Sequence, residues 1–386
     1  MRALLRSAPL LLLLTSCRGP LVVSCSDDTF CLRSGAHGHC ASSPLSNQKF
    51  CSFSDPACAP SGLRWDPTAG EGLAAQCVAL APADASGIDS ARLPLWGPAT
   101  SVASGALQAL CGASASQLFA VGPGIFRSTN GGETWHDISP TLGSDGGVPI
   151  SLHGIWCTGS QTVVVVGDSG AILRSDNGGK TWLVQKSGTQ NDLNAIWSPG
   201  GATYWIVGDG DTVLNTVDGG SSWKPHPTGM STHLHSVWGT TAIDLRAVGS
   251  GGLIVHTSNG MTWILEESGT KGQLLALWGS RPNRIWAGGA GLVLRFDGQA
   301  WTPTTLPVGV KGQTLFSLWG SSETELFAGG GYLQGDLFLG EILRSTDGLA
   351  WSSQKIPTAG IVTAIWGTGP GNVYATTTSG TVLHEE

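Results

Sequence analysis

The sequence predicts an all-β protein, a seven-bladed β-propeller preceded by a small disulfide-rich module. The first observation is self-similarity. An apolar run ending in Trp-Gly, or a worn version of it, recurs at Leu110-Cys111-Gly112, Ile155-Trp156-Cys157, Ile196-Trp197-Ser198, Val237-Trp238-Gly239, Leu277-Trp278-Gly279, Leu318-Trp319-Gly320 and Ile365-Trp366-Gly367. The spacings are 45, 41, 41, 40, 41 and 47 residues, the period of a propeller blade built from one four-stranded sheet. The second is composition: 57 glycines and 16 tryptophans suit many short strands joined by tight turns and packed through aromatics. The third is the crowding of cysteines ahead of the repeats.

Residues 1–16 read as an address. Arg2 and Arg6 precede an apolar run from Ala8 to Leu14 that is too short to span a bilayer, which is the pattern of an export signal. Leu14-Thr15-Ser16-Cys17 resembles the lipobox of bacterial lipoproteins, which implies lipidation at Cys17 and a membrane-attached chain. Arg18 in place of an Asp after that cysteine favours the outer membrane of the cell envelope.

Residues 17–80 are expected to form the disulfide module. Cys25, Cys31, Cys40, Cys51, Cys58 and Cys77 lie in a stretch rich in Ser, Pro, Gly and Ala, with little apolar material for a core. Cross-links would stabilise it by restricting the unfolded chain. Six cysteines allow fifteen pairings, among which the sequence does not choose. Residues 81–92 read as a linker and 93–386 as the propeller. Cys111 and Cys157 fall in neighbouring repeats at almost the same register. A disulfide between them is expected, a pair of buried free thiols being the alternative.

Within each repeat a second and a third apolar strand follow, as in Thr162–Gly167 and Ala171–Arg174. Then comes Ser128-Thr-Asn-Gly-Gly-Glu-Thr-Trp135, echoed at Ser175–Trp182, Thr216–Trp223, Thr257–Trp263, Arg295–Trp301 and Ser345–Trp351. Asn-Gly and Asp-Gly supply the positive φ of a tight hairpin, and the side chain can bond the turn's own backbone. The pattern resembles the Asp-box, or bacterial neuraminidase repeat, which implies a structural role for these Asp and Asn residues. The final repeat stops one strand short. Trp96 stands 14 residues before Leu110, so the segment around it is expected to complete the last blade and remove a free sheet edge.

Function is expected where the repeats differ. Three places before the Trp position stand Gln108, His153, Asn194, His235, Leu275, Phe316 and Thr363. The next position is uniformly small, so the mixed one could ring a channel mouth or merely tolerate variety. Two insertions fall on the face opposite the Asp-box hairpins: His136–Ile150, and Gly329–Gly340 with Tyr332, Leu333, Leu337 and Phe338. The second is either a contact patch or a flap on its own blade. We therefore take Gln108, His153, Asn194, His235, Phe316, Tyr332 and Phe338 as candidate partner-binding residues.

Charged residues are 12% of the chain and the net charge is −7, with no Lys/Arg cluster in the propeller, which argues against nucleic acid. His226, His233, His235 and His256 could approach one another, and Asp209-Gly-Asp211 could ligate calcium, but each also has an ordinary reading as surface or turn. No cofactor motif stands out. Sialidases share the Asp-box but need three arginines, a Tyr nucleophile and acidic partners, and no such set is evident. Over residues 93–386 the chain resembles the photosystem II assembly and stability factor family, which implies a protein-binding platform. The expected function is thus a non-enzymatic envelope scaffold for an unknown protein or glycan. The alternative is a glycan-binding or glycan-cleaving propeller, favoured if Trp205, Trp286 or Tyr332 lies exposed in a cleft.

Overall fold

The structure, a computed structural model, describes residues 32–33, 36–37, 39–42, 49–54, 63–65, 96–140, 151–308, 310, 313–334, 337–354, 356–357 and 360–385. The chain divides into two compact units, Met1–Leu93 and Pro94–Glu386. In the first, His39–Ser42, Lys49–Ser54 and Leu63–Trp65 form a three-stranded antiparallel sheet, with Cys40 opposite Cys51 in the ladder. Cys17, Cys25, Cys31, Cys58 and Cys77 lie outside the described residues, as does most of the expected insertion, at 141–150.

The second unit holds seven four-stranded antiparallel sheets, six of them with their strands side by side in chain order. The innermost strands are Ala109–Gly112, Leu152–Thr158, Leu193–Gly200, Leu234–Gly239, Leu274–Arg281, Thr314–Ser322 and Val362–Gly369, in blades one to seven. Each contacts the next, and the seventh contacts the first, so the ring is closed. Second strands such as Thr162–Gly167 and Leu245–Gly249 are buried along almost their whole length, because both faces of the sheet meet a neighbouring blade. That explains their unbroken apolar runs.

The seventh blade takes its outermost strand, Thr100–Ser101, from the other end of the propeller segment. Trp96 bridges Glu385 and lies edge-on to Phe327 of blade six, with ring centroids 6.2 Å apart.

Two tryptophan sets join the blades. In the inner set, the indole of one blade lies over the glycine that follows the Trp of the next. A Cβ at Gly279 would sit 2.7 Å from Trp238 Cη2, and one at Gly320 would sit 2.9 Å from Trp278 Cη2. Gly239, Gly367 and Gly112 stand in the same relation to Trp197, Trp319 and Trp366. Between blades one and two, where the pair would be Cys111 and Cys157, a disulfide takes its place, with a Cα separation of 5.8 Å. Closing that 46-residue separation restricts the unfolded chain by roughly 4 kcal/mol in the entropy model. In the outer set the indole N–H reaches back to the preceding blade: Trp182 to Ile138 O (3.2 Å), Trp223 to Gln185 Oε1 (3.3 Å), Trp263 to His226 O (3.0 Å), Trp301 to Glu266 Oε2 (2.8 Å) and Trp351 to Thr304 Oγ1 (3.0 Å).

The hairpins between third and outermost strands are self-contained. Ser128 Oγ–H donates to Asn130 Oδ1 (2.9 Å) and accepts from Gly132 N–H (2.9 Å), while Thr134 N–H closes on Asn130 Oδ1 (3.0 Å). The same set recurs at Ser175, Thr216 and Ser345. Gly131 and Gly132 turn there at φ of 72° and 89°, which a side chain would resist.

Glu385 is 1% exposed beside the closing strand, and its Oε2 has no hydrogen-bond partner. Burial pushes its carboxyl up to about 7; Arg344 opposes the rise and Glu325 adds to it. The folded state therefore holds this proton more tightly than the unfolded chain does. The stability involved is complete below about pH 4.5 and is lost as pH rises through about 7. Glu385→Gln should gain on the wild type by on the order of 3 kcal/mol between those two pH values, read from denaturant midpoints, and equal slopes for both proteins would contradict this.

Candidate functional site

The propeller has two unlike faces. Inner strands end in their Trp on the face that carries the Asn/Asp-Gly hairpins, since first and third strands run the same way. The mixed position three residues earlier lies at the opposite face, beside the turns between second and third strands. In blades two to seven that position is a β-bulge: the register skips His153, Asn194, His235, Leu275, Phe316 and Thr363. A bulge leaves its extra residue unpaired and re-aims the side chain, here toward the blade's own turn.

Over blades two to four these residues form a polar arc. His153 Nε2 lies 2.9 Å from Asp168 Oδ1. Asn194 Nδ2 donates to Asp209 Oδ1 (2.9 Å) and to Leu234 O of the next blade (2.9 Å). His233 Nδ1 reaches the same Asp209 oxygen at 3.0 Å. Burial works against ionisation of Asp209, but the bonds from Asn194 and His233 outweigh it and hold the carboxyl below its usual range. His235 Nε2 pairs with Ser250 Oγ at 3.0 Å, and burial pushes its imidazole down although Asp209 pulls the other way. Thr363 Oγ1 donates to Leu107 O of blade one (2.6 Å). The polar members of the predicted ring are therefore tied to turns and to neighbouring blades, whereas Gln108 and Phe316 are exposed.

The arc gives way to an apolar sector at blade six. Its second and third strands, Glu325–Gln334 and Leu337–Ser345, are the longest such pair in the ring and run on as a hairpin above the face. Leu333 (59%), Leu337 (65%) and Phe338 (55%) are exposed on it, and Phe316 (39%) is exposed on the inner strand of the same blade. Tyr332 is half-buried opposite Leu339 in the ladder. The segment expected as an inserted loop is thus a regular β-ladder, tied to the link toward blade seven by Gly360 N–H donating to Phe338 O (3.0 Å).

The histidines considered as metal ligands do not converge. His256 pairs with Asp244 (2.8 Å), while His226 packs on Trp205 with ring centroids 5.3 Å apart. Among the described residues there is no group of three His, Cys, Asp or Glu side chains suited to a metal. Asp211 faces inward at φ 62°, its carboxylate accepting Thr228 N–H (3.0 Å), Thr228 Oγ–H (2.5 Å) and Gly229 N–H (2.8 Å).

Trp205 and Trp286 are 2% and 1% exposed, their N–H groups donating to Ala242 O and Gly348 O, so neither is the open platform that the glycan alternative expected. Arg127, Arg174, Arg246, Arg295 and Arg344 lie over aromatic rings, and three of them hold Asp176, Glu266 and Glu325. They serve the blades separately.

Sequence reasoning set aside the inner Trp ring as scaffold. In the structure Trp156, Trp197, Trp238, Trp278, Trp319 and Trp366 line a channel cavity of about 320 Å³ at the hairpin face. The regular recurrence of an exposed-side aromatic around a closed ring was the available signal.

No protein-family model matches this chain, and no curated protein matches it. Solved structures do. YCF48 bound to D1 peptide superposes with a TM-score of 0.61 at 16% identity, over 75% of this chain and 94% of that one. The likeness shows the fold alone. YCF48 from Cyanidioschyzon merolae gives 0.58 at 16% identity, over 76% and 98%. A xyloglucanase from Xanthomonas campestris gives 0.57 at 13% identity, over 75% of this chain but 53% of that enzyme.

If Asp211 is a turn device rather than a calcium ligand, Asp211→Ala should lower stability by about 2–4 kcal/mol and added calcium should leave the melting temperature of the wild type unchanged. A calcium-dependent rise would contradict the assignment.

Proposed function

We propose that this chain is a non-enzymatic scaffold of the cell envelope, tethered through a lipid on Cys17, that docks a protein partner on the face opposite the Asn/Asp-Gly hairpins. The observation that carries the reading is the blade-six hairpin. Leu333, Leu337 and Phe338 stand in solvent on a hydrogen-bonded ladder, where they gain nothing for the fold. Exposed apolar clusters on a rigid element, rimmed by polar groups, are what protein interfaces are built on. Phe316, also exposed, stands on the inner strand of the same blade. YCF48, which shares the fold, has been solved with a peptide bound, and that agrees with a recognition role for such a propeller.

The test is capture of the full lipidated chain from cross-linked envelopes, with mass spectrometry of what accompanies it. Leu333→Asp with Phe338→Asp should abolish recovery of a stoichiometric protein partner. Leu183→Asp with Val184→Asp, equally exposed but on the outer strand of blade two, should not. Equal recovery with both variants, or recovery of glycan alone, would overturn the reading.

A further inference from the structure

The tryptophans of this propeller differ in how their N–H groups are served. Outside the inner ring, Trp135, Trp182, Trp205, Trp223, Trp263, Trp286, Trp301 and Trp351 each donate to a named acceptor. Among the described residues, the inner six (Trp156, Trp197, Trp238, Trp278, Trp319 and Trp366) donate to none. Nor are these six N–H groups sealed away, since the buried unpaired side-chain atoms include only Trp96 among the tryptophans. An indole N–H left without an acceptor at a half-buried position is a donor available to whatever enters.

All six surround one cavity. Its remaining lining is apolar: Leu110, Ile155, Ile196, Val237 and their equivalents, the Cys111–Cys157 disulfide, and two small residues, Ala195 and Ser236. Among the described residues, no titratable side chain lines it. A cavity of about 320 Å³ is at the lower end of small-molecule sites, roughly 300–1,000 Å³. The chemistry of the lining selects the ligand. An ion of either sign would leave water without a charged partner, which is costly. A cation would also face donors where it needs acceptors. An uncharged ring system would bury its body against the indoles and leucines, and oxygens on its edge would accept the free N–H groups.

We propose that the channel is a binding site for one uncharged aromatic or alicyclic molecule bearing carbonyl-type oxygens. It lies on the face opposite the blade-six hairpin and does not depend on the scaffold reading above. Five of the six indoles (Trp197, Trp238, Trp278, Trp319 and Trp366) already pack on a glycine of the next blade, a contact that binding would leave in place.

The test uses 6-propionyl-2-(dimethylamino)naphthalene, an uncharged fluorescent naphthyl ketone, on the full chain. One saturable site with a blue-shifted emission and quenching of tryptophan fluorescence is expected, and phenyltrimethylammonium should not compete. Trp278→Phe keeps an aromatic body and removes one donor, so it should weaken binding by about two- to tenfold. Trp263→Phe, outside the ring, should leave affinity unchanged. Because Trp278→Phe could disturb the seam with Gly320, Ala195→Leu is the second variant. It occupies cavity space and spares every indole; because Ala195 also packs against the core between blades three and four, binding is read on protein whose melting transition shows it folded, and there it should be abolished. No saturable binding, tighter binding of the ammonium probe, or an Ala195→Leu protein that still binds would each overturn the proposal.

Discussion

Seven sheets stacked face to face have no covalent reason to form a ring, and in this chain that geometry rests on an indole of one blade lying across a backbone glycine of the next. At Gly112, Gly239, Gly279, Gly320 and Gly367 a Cβ would fall within 3 Å of the neighbouring tryptophan ring. The contact therefore exists only because that position has no side chain. Five of the six inner tryptophans are half-buried, so truncating one costs less than the about 3–5 kcal/mol of a fully buried tryptophan, but the seams add up around the ring. The outer tryptophans sew the same seams from the other edge with a hydrogen bond, and the Cys111–Cys157 disulfide replaces the inner contact at the one seam whose Trp and Gly have both gone.

That constraint also separates scaffold from surface. Residues that make seams vary little, with Cys111, Cys157 and Ser198 the exceptions, and the larger differences lie at the two faces. On one face the bulges turn His153, Asn194 and His235 onto neighbouring turns, and blade six alone carries its strands further and leaves Leu333, Leu337 and Phe338 in solvent. On the other face the backs of the packed indoles become the wall of the channel. The two features differ in chemistry: an exposed apolar ledge on blade six, and a small cavity lined by indoles and aliphatic side chains.

Much of the fold was legible because the repeat is strict. The Trp-Gly period gave the number of blades, and the missing last strand pointed to closure by the segment around Trp96, which bridges Glu385 while Thr100–Ser101 forms the ladder. Less of the site was legible, for physical reasons. A period tells which residues are equivalent but not which touch, so the forward reach of Trp238 to Gly279 and the cavity behind it were hidden. A bulge adds one residue without breaking the apolar pattern, so the ties made by Asn194 and Thr363 could not be foreseen. The glycines of Gly329–Gly331 read as loop punctuation, yet they admit close backbone approach: a Cβ at Gly330 would lie 2.0 Å from Thr314 O. Trp205 and Trp286 read as possible platforms because burial between blades leaves no mark on sequence.

The most direct measurement of the central claim is a double-mutant cycle between Trp238 and Gly279, by equilibrium denaturation of Trp238→Ala, Gly279→Ala and the pair. With the indole present, the added methyl has no room. With the indole gone, it fills part of the space. The account predicts non-additivity of about 1–3 kcal/mol for this pair and near-additivity for Trp238 with Gly320, one blade further on. Additive effects at Trp238 and Gly279 would contradict it.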